Sequence, residues 1–191
     1  MSELTLTLTG DRPMLMHNGR LANPLDAYSQ ALKQYVGKRN RTDEDILAIM
    51  KIEARGGCWE TPDGHLGIPE AAVFSCLLEA AKQRKLGKVL PKALRYDPDA
   101  FVPITIDGKT MLCDDYLKDL DNIDYRAVKV GARKVMRSRP RIRHWSATFT
   151  FDLDEGVIDA RNLIPTIEYA GQYVGLGEWR PRLGTFSTKV G

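Results

Sequence analysis

Cysteine is scarce in this chain. Cys58, Cys76 and Cys113 are odd in number, far apart and in no CxxC arrangement. That excludes a disulfide framework and a zinc site, and it leaves reduced thiols in a cytoplasmic setting as the expectation. Long apolar runs are missing too. None approaches the roughly 20 residues a membrane span needs, so no membrane partner is expected. The opening stretch MSELTLTLTGDRP has neither a basic region nor an apolar signal core, and it is read as no secretion signal. Histidine is limited to three residues, which leaves few candidates for proton transfer at neutral pH. No nucleophile, base and orienting group stand out together, so no catalytic residue is assigned. The acidic stretch with Asp114, Asp115, Asp119 and Asp121 lacks the glycine turn and spacing of a calcium loop. It reads as solvated surface. No metal and no cofactor are expected. Internal repeats and low-complexity linkers are absent, and 191 residues suit a single domain, 1–191.

Acid is what one segment lacks altogether. Arg126, Lys129, Arg133, Lys134, Arg137, Arg139, Arg141 and Arg143 follow one another without an Asp or Glu between them. They hold 8 of the 28 basic residues. The other 20 face 25 acids, so a mildly acidic body of net −5 carries one concentrated cationic stretch. Such a stretch is an electrostatic footprint for a polyanion, most commonly nucleic acid. Arg137, Arg139, Arg141 and Arg143 alternate, so an extended chain projects them from one face, with Pro140 at an edge or bulge. Arginine forks suit phosphate oxygens.

Periodicity orders the rest. Leu4, Leu6 and Leu8 alternate with threonines, which predicts a half-buried strand over 3–9. Pro24 opens a helix carrying Leu25, Tyr28, Leu32, Tyr35 and Val36. Thr42, followed by Asp43-Glu44-Asp45, caps a second helix that carries Ile46, Ile49, Met50 and Glu53. Thr61-Pro62-Asp63-Gly64 turns a small hairpin. Pro69 starts a third helix, with Val73, Phe74, Leu77, Leu78 and Ala81 inward. Residues 100–106 are β-rich, 127–136 suit one arm of an extended hairpin, and 142–153 alternate clearly with Trp145, Ala147, Phe149, Phe151 and Leu153 on one side. A last helix spans 159–174, starting near Asn162 so that Pro165 falls in its first turn. A final strand covers 185–190.

With two segments removed, the order is β-α-β-β-α-β. The fold class is therefore α+β: a ferredoxin-like, RRM-like βαββαβ core with an inserted helical pair at 24–56 and an inserted basic β-hairpin at about 107–141. The RNA recognition motif shares this topology and binds single strands on its open sheet face.

Before the final strand stands GLGEWRPRLGTF, residues 175–186. Gly175 and Gly177 permit positive φ and close backbone approach. Arg180 and Arg182 are placed to reach phosphates. Trp179 either stacks on a base or staples the loop. Arg12, His17, Asn18 and Arg20, in the loops after the first strand, add polar groups to the candidate surface.

Three pieces in this order resemble the CRISPR-associated RAMP superfamily. A strand ends in Ile68-Pro69 and leads straight into the first core helix. The family usually continues with Gly-Ser-Ser-Leu-Lys, where this chain has Glu70-Ala71-Ala72-Val73-Phe74. Gly175-Leu176-Gly177, with Gly184, resembles the glycine-rich loop before the family's last strand. The basic hairpin resembles the thumb of the backbone subunit, which polymerises along a guide RNA. The resemblance covers most of the chain outside the inserted helices. It implies a non-catalytic binder of single-stranded RNA or DNA that forms a homo-oligomer or filament. CRISPR effector subunits are further possible partners, and a stand-alone phage-encoded relative is an equal alternative. Two other functions stay open. One is a RAMP-type endoribonuclease processing CRISPR RNA, with a histidine such as His17 or His65 assisting. The other is a protein-interaction module that mimics an effector subunit.

Overall fold

Alternating leucine and threonine form the first strand, β1 (Ser2–Gly10), with Leu4, Leu6 and Leu8 buried and Thr9 exposed. A short β2 (Met14–Leu15) follows, then a 3-10 turn over Gly19–Ala22 and two helices, α1 (Ala27–Val36) and α2 (Asp43–Gly56). Next come β3 (Gly67–Pro69), α3 (Glu70–Gln83), α4 (Leu90–Ala93), β4 (Leu94–Arg95), β5 (Phe101–Pro103), β6 (Thr105–Ile106) and α5 (Cys113–Tyr116). The chain ends with the long hairpin β7 (Ile123–Val130) and β8 (Arg133–Ile142), then β9 (Trp145–Leu153), α6 (Ala160–Tyr169) and β10 (Phe186–Val190). The computed structural model describes residues 1–191.

The protein is α+β, with antiparallel sheets and six helices. The main sheet has the order β10-β1-β9-β4, and β6 pairs with the same β9. Leu94 faces Leu153 while Thr105 faces Ser146, so β4 and β6 lie along one edge of β9 as two pieces of an interrupted strand. Between them the chain leaves the sheet to pair β5 with β3. Leu4, Leu6, Leu8, Trp145, Phe149 and Phe151 join Val73, Leu77, Leu163 and Ile167 in one apolar cluster, so α3 and α6 cover one sheet face. The other face is polar. Thr7 and Thr148 are hydrogen-bonded across it at 3.0 Å, as are Thr105 and Ser146 at 2.7 Å.

Several local expectations need correction. α1 starts only after Asp26, whose carboxylate caps Tyr28 N–H, so Leu25 lies outside the helix and is 82% exposed. The strand expected over 142–153 is broken at His144, which has φ +51°. Residues 127–136 are not one arm: the tip at Gly131 lies inside them, and the arms are β7 and β8. α6 begins at Ala160, so Pro165 sits within the helix rather than in its first turn. It lies on the exposed side, where the Arg161 carbonyl that loses its i+4 donor can turn to water.

α2 carries a full capping box. Thr42 accepts from Asp45 N–H, and the Asp45 carboxylate accepts from Thr42 N–H. Thr42→Ala should lower stability by about 1 kcal/mol, read as the urea midpoint; an unchanged midpoint would mean that α2 is held by packing alone. Hydrogen bonds from Lys38 and from Thr42 N–H pull the Asp45 carboxyl below its usual 3.8. The Arg161 side chain and N–H pull Asp159 down to about 2. Both depressions contribute stability that is present above 3.8 and lost as pH falls toward 2. The midpoint should therefore be steady down to pH 4 and decline below it; steady stability to pH 2 would refute the assignment.

Candidate nucleic-acid interface

β7 and β8 pair in continuous register from Ile123↔Pro140 to Val130↔Arg133. This places Lys129 directly opposite Lys134, an arrangement that weakens a strand pair unless an anion lies near. Lys129, Arg133 and Lys134 are exposed, and they take no part in the hairpin's ion pairs, which are Arg126–Asp124, Arg137–Glu53 and Arg139–Glu178. These three cations lie at the tip; Arg141 and Arg143, at the hairpin base, also form no ion pair.

The arginines nearer the base have other occupations. Arg137, Arg139 and Arg141 alternate within β8, but that face turns toward the protein. Arg137 Nη1 donates to Glu53 at 2.7 Å, and the same carboxylate accepts Ser138 N–H at 2.9 Å. The Arg139 side chain is only 10% exposed, and its approach to Glu178 is 3.7 Å. The Arg141 backbone carbonyl accepts from the Tyr116 hydroxyl at 2.8 Å, while the Arg141 guanidinium has no ion pair; burial pushes the Tyr116 hydroxyl's pKa up. Arg143 lies past the end of β8 and donates to the Asp121 carbonyl. The expectation that all four arginines project from one face of an extended chain is corrected for Arg143, which lies beyond the end of β8, and Arg137 and Arg139 meet acids of the fold. β8 is the middle strand of a β2-β8-β7 sheet, yet Pro140 costs the hairpin nothing: the Ser138 N–H leaves it for Glu53, and the Pro140 nitrogen has the same parity, so β7 loses no donor.

The loops after β1 divide in the same way. Arg20 is fully engaged by Asp26 at 2.9 Å, Glu60 at 3.2 Å and the Tyr28 ring at 4.9 Å. Asn18 caps the 3-10 turn and donates to the Cys58 carbonyl. Both residues thus make contacts within the fold. Arg12 holds the Arg182 carbonyl at 3.1 Å. His17 is exposed.

The glycine loop approaches the chain itself rather than open space. Glu178 N–H donates to the Leu15 carbonyl, Gly184 N–H to Pro13, Leu176 N–H to Gly184 and Gly175 N–H to Ala170. Gly177, at φ +75°, has the Leu15 carbonyl oxygen 2.3 Å from where a Cβ would stand; Gly184, at φ +72°, has Leu176 oxygen at 1.8 Å. Gly175, at φ +77°, is likewise closed against Gly184. Trp179 is 38% exposed, with the Arg126 guanidinium 4.6 Å from its ring centroid. That contact joins the hairpin to the loop and leaves part of the indole open to solvent. Arg180 pairs with Glu79 at 3.3 Å, and Arg182 is exposed without an ion pair.

Two adjoining clefts run between these parts, and His17 lines both. One, of about 350 Å³, lies between the inserted helices and the hairpin, with Leu32, Val128, Arg137 and Arg139 on its walls. The other, of about 220 Å³, is walled by Trp59, Ser75, Gly177 and Arg180. Glu53 and Glu178 were not among the site residues expected from sequence. A carboxylate on the apolar stripe of α2 was the available signal for Glu53, since such a group is normally paired. No group of three or more His, Cys, Asp or Glu side chains lies together in metal-binding fashion. No helix is long and apolar enough to cross a membrane. No protein-family model and no curated protein matches the chain.

Positive φ alone does not make a glycine irreplaceable. Gly131, at φ +59°, meets nothing within 4 Å, so Gly131→Ala should cost only about 1–2 kcal/mol. Gly184→Ala adds a backbone collision and should cost on the order of 2–4 kcal/mol or prevent folding. Equal losses of thermal stability in the two variants would contradict the loop's assigned role.

Proposed function

We propose that the chain binds single-stranded nucleic acid without cutting it, and that successive copies coat the strand. One observation carries this reading: the hairpin presents Lys129, Arg133 and Lys134 at an exposed tip, with like charges facing each other and no acid to balance them. A polyphosphate supplies the missing counter-charge. The clefts that meet at His17 continue from the hairpin to the glycine loop, which offers a path for a strand. Val130 and Met136, 54% and 43% exposed, add apolar surface for a base or a neighbouring copy.

The fold reading behind this is a ferredoxin-like βαββαβ core. Its support is the antiparallel order β10-β1-β9-β4/β6, with α3 connecting β1 to the β4/β6 edge and α6 connecting β9 to β10. Kinship with RAMP proteins rests on the same order, on Ile68-Pro69 entering α3, and on the glycine loop before β10. The open sheet face carries Glu3, Thr5, Thr7, Thr9, Ser146, Thr148, Thr150, Asp152, Ser187 and Lys189, with no aromatic ring among them. It lacks the stacking groups with which RNA recognition motifs hold bases, so the interface belongs on the hairpin side.

A second reading, an endoribonuclease, is favoured by one contact. His65 Nδ1 meets Asp63 at 2.8 Å, an arrangement that orients the ring and leaves Nε2 available as a base. Incubation with end-labelled RNA decides it: intact RNA rejects cleavage, and cleavage lost in His65→Ala supports it.

Fluorescence anisotropy with labelled oligonucleotides, RNA and DNA in parallel, tests the main reading. Replacing Lys129, Arg133 and Lys134 together by Ala should weaken binding and reduce the slope of log K against log salt by about 2, at roughly 0.7 per single-strand phosphate. Absence of binding at low salt, or an unchanged slope in the triple variant, rejects it.

A further inference from the structure

Arg139 is nine-tenths buried, yet its Nε and Nη1 have no hydrogen-bond partner. The buried Ser138 hydroxyl is also unpartnered. Both residues line the 350 Å³ cleft between the inserted helices and the hairpin. Buried polar groups of a folded chain are nearly always satisfied, and a guanidinium whose one carboxylate stands off at 3.7 Å beside a cavity keeps capacity for a second acceptor.

The charges around the cleft define that acceptor. Glu53 is the carboxylate on the cleft wall, and it is already taken by Arg137 Nη1 and Ser138 N–H. Glu178 stands 3.7 Å from Arg139, beyond hydrogen-bond range. The missing group is therefore anionic or strongly accepting, and a planar fork suits phosphate. The remaining walls are apolar: Leu21, Leu32, Val128 and Val130, with the His17 ring at the junction to the second cleft. Apolar walls with a few convergent polar groups are the usual make-up of a small-ligand site, and the volume falls within the usual range.

We propose that this cleft holds one nucleotide unit, its phosphate on Arg139 and its base against Leu21, Leu32 and Val128. A nucleotide within a bound strand and a free nucleoside monophosphate share this chemistry. The first of these rests on the function proposed above and deepens it. It adds a base-contacting pocket to an interface otherwise made of phosphate contacts, and with it a preference among bases that the tip alone does not confer.

The test uses the full chain with three probes: adenosine 5′-monophosphate, inorganic phosphate and an oligoadenylate, each titrated calorimetrically. Leu32→Trp fills the cleft while leaving every cation in place, and α1 buries none of its residues, so the helix tolerates the change. The monophosphate should bind more tightly than inorganic phosphate, and Leu32→Trp should weaken it by about tenfold or more through steric exclusion. Oligoadenylate should weaken as well, with its salt slope unchanged. Monophosphate binding that is absent, or equal in wild type and variant, overturns the pocket whatever the strand does. Monophosphate binding without strand binding leaves the pocket standing, with a free nucleotide as its ligand, and rejects the function proposed above.

Discussion

The buried carboxylate of Glu53 organises the half of the molecule on which the functional reading rests. It sits on α2 and takes two donors from β8, the Ser138 backbone N–H and the Arg137 guanidinium. Those bonds lay the inserted helices along the outer edge of the hairpin, where unpaired strand groups would otherwise face solvent. Burial of a lone carboxylate is strongly unfavourable, and truncation of one partner of such a set leaves the others unsatisfied. The larger cleft exists because these two insertions are held side by side rather than splayed.

A division of labour among arginines follows from the same constraint. Near the hairpin base, Arg126, Arg137 and Arg139 face acids, and Arg126 also lies over Trp179. These contacts fasten the hairpin to α2 and to the glycine loop. Toward the tip the acids stop, and Lys129, Arg133 and Lys134 remain free. The cationic run thus has two parts: arginines nearer the base that fasten the hairpin to the fold, and a tip whose cations meet no acid. The sheet beneath contributes rigidity. Its covered face is packed with Trp145, Phe149 and Phe151, and its open face is a field of threonines joined by hydroxyl bonds.

Strong local signals were legible in the sequence. The Leu-Thr alternation of β1, the aromatic alternation of β9 and the Thr42 cap of α2 each report a short-range rule, and each element stands where that rule places it. Three features were not legible, because they depend on what the chain meets far away. The β4/β6 edge is interrupted by an excursion that pairs with β3, which no local period records. Arg20 and Asn18 are loop residues by pattern, but Asp26, Glu60 and the Cys58 carbonyl absorb them. The arginine alternation of β8 was visible, whereas the side facing inward was set by Glu53 and Glu178, 84 residues before Arg137 and 39 after Arg139. The glycine loop was read correctly for its backbone freedom; that freedom serves a close approach to Pro13–Leu15 within the fold.

The central claim is that a single strand lies along the hairpin and the clefts at His17, not on the open sheet. Hydrogen–deuterium exchange with and without a saturating single-stranded oligonucleotide tests this most directly. The account predicts added protection over the hairpin tip near Gly131, around His17 and in the glycine loop, with the threonine face of β1 and β9 unchanged. Protection confined to β1 and β9, or none anywhere at low salt, would contradict it.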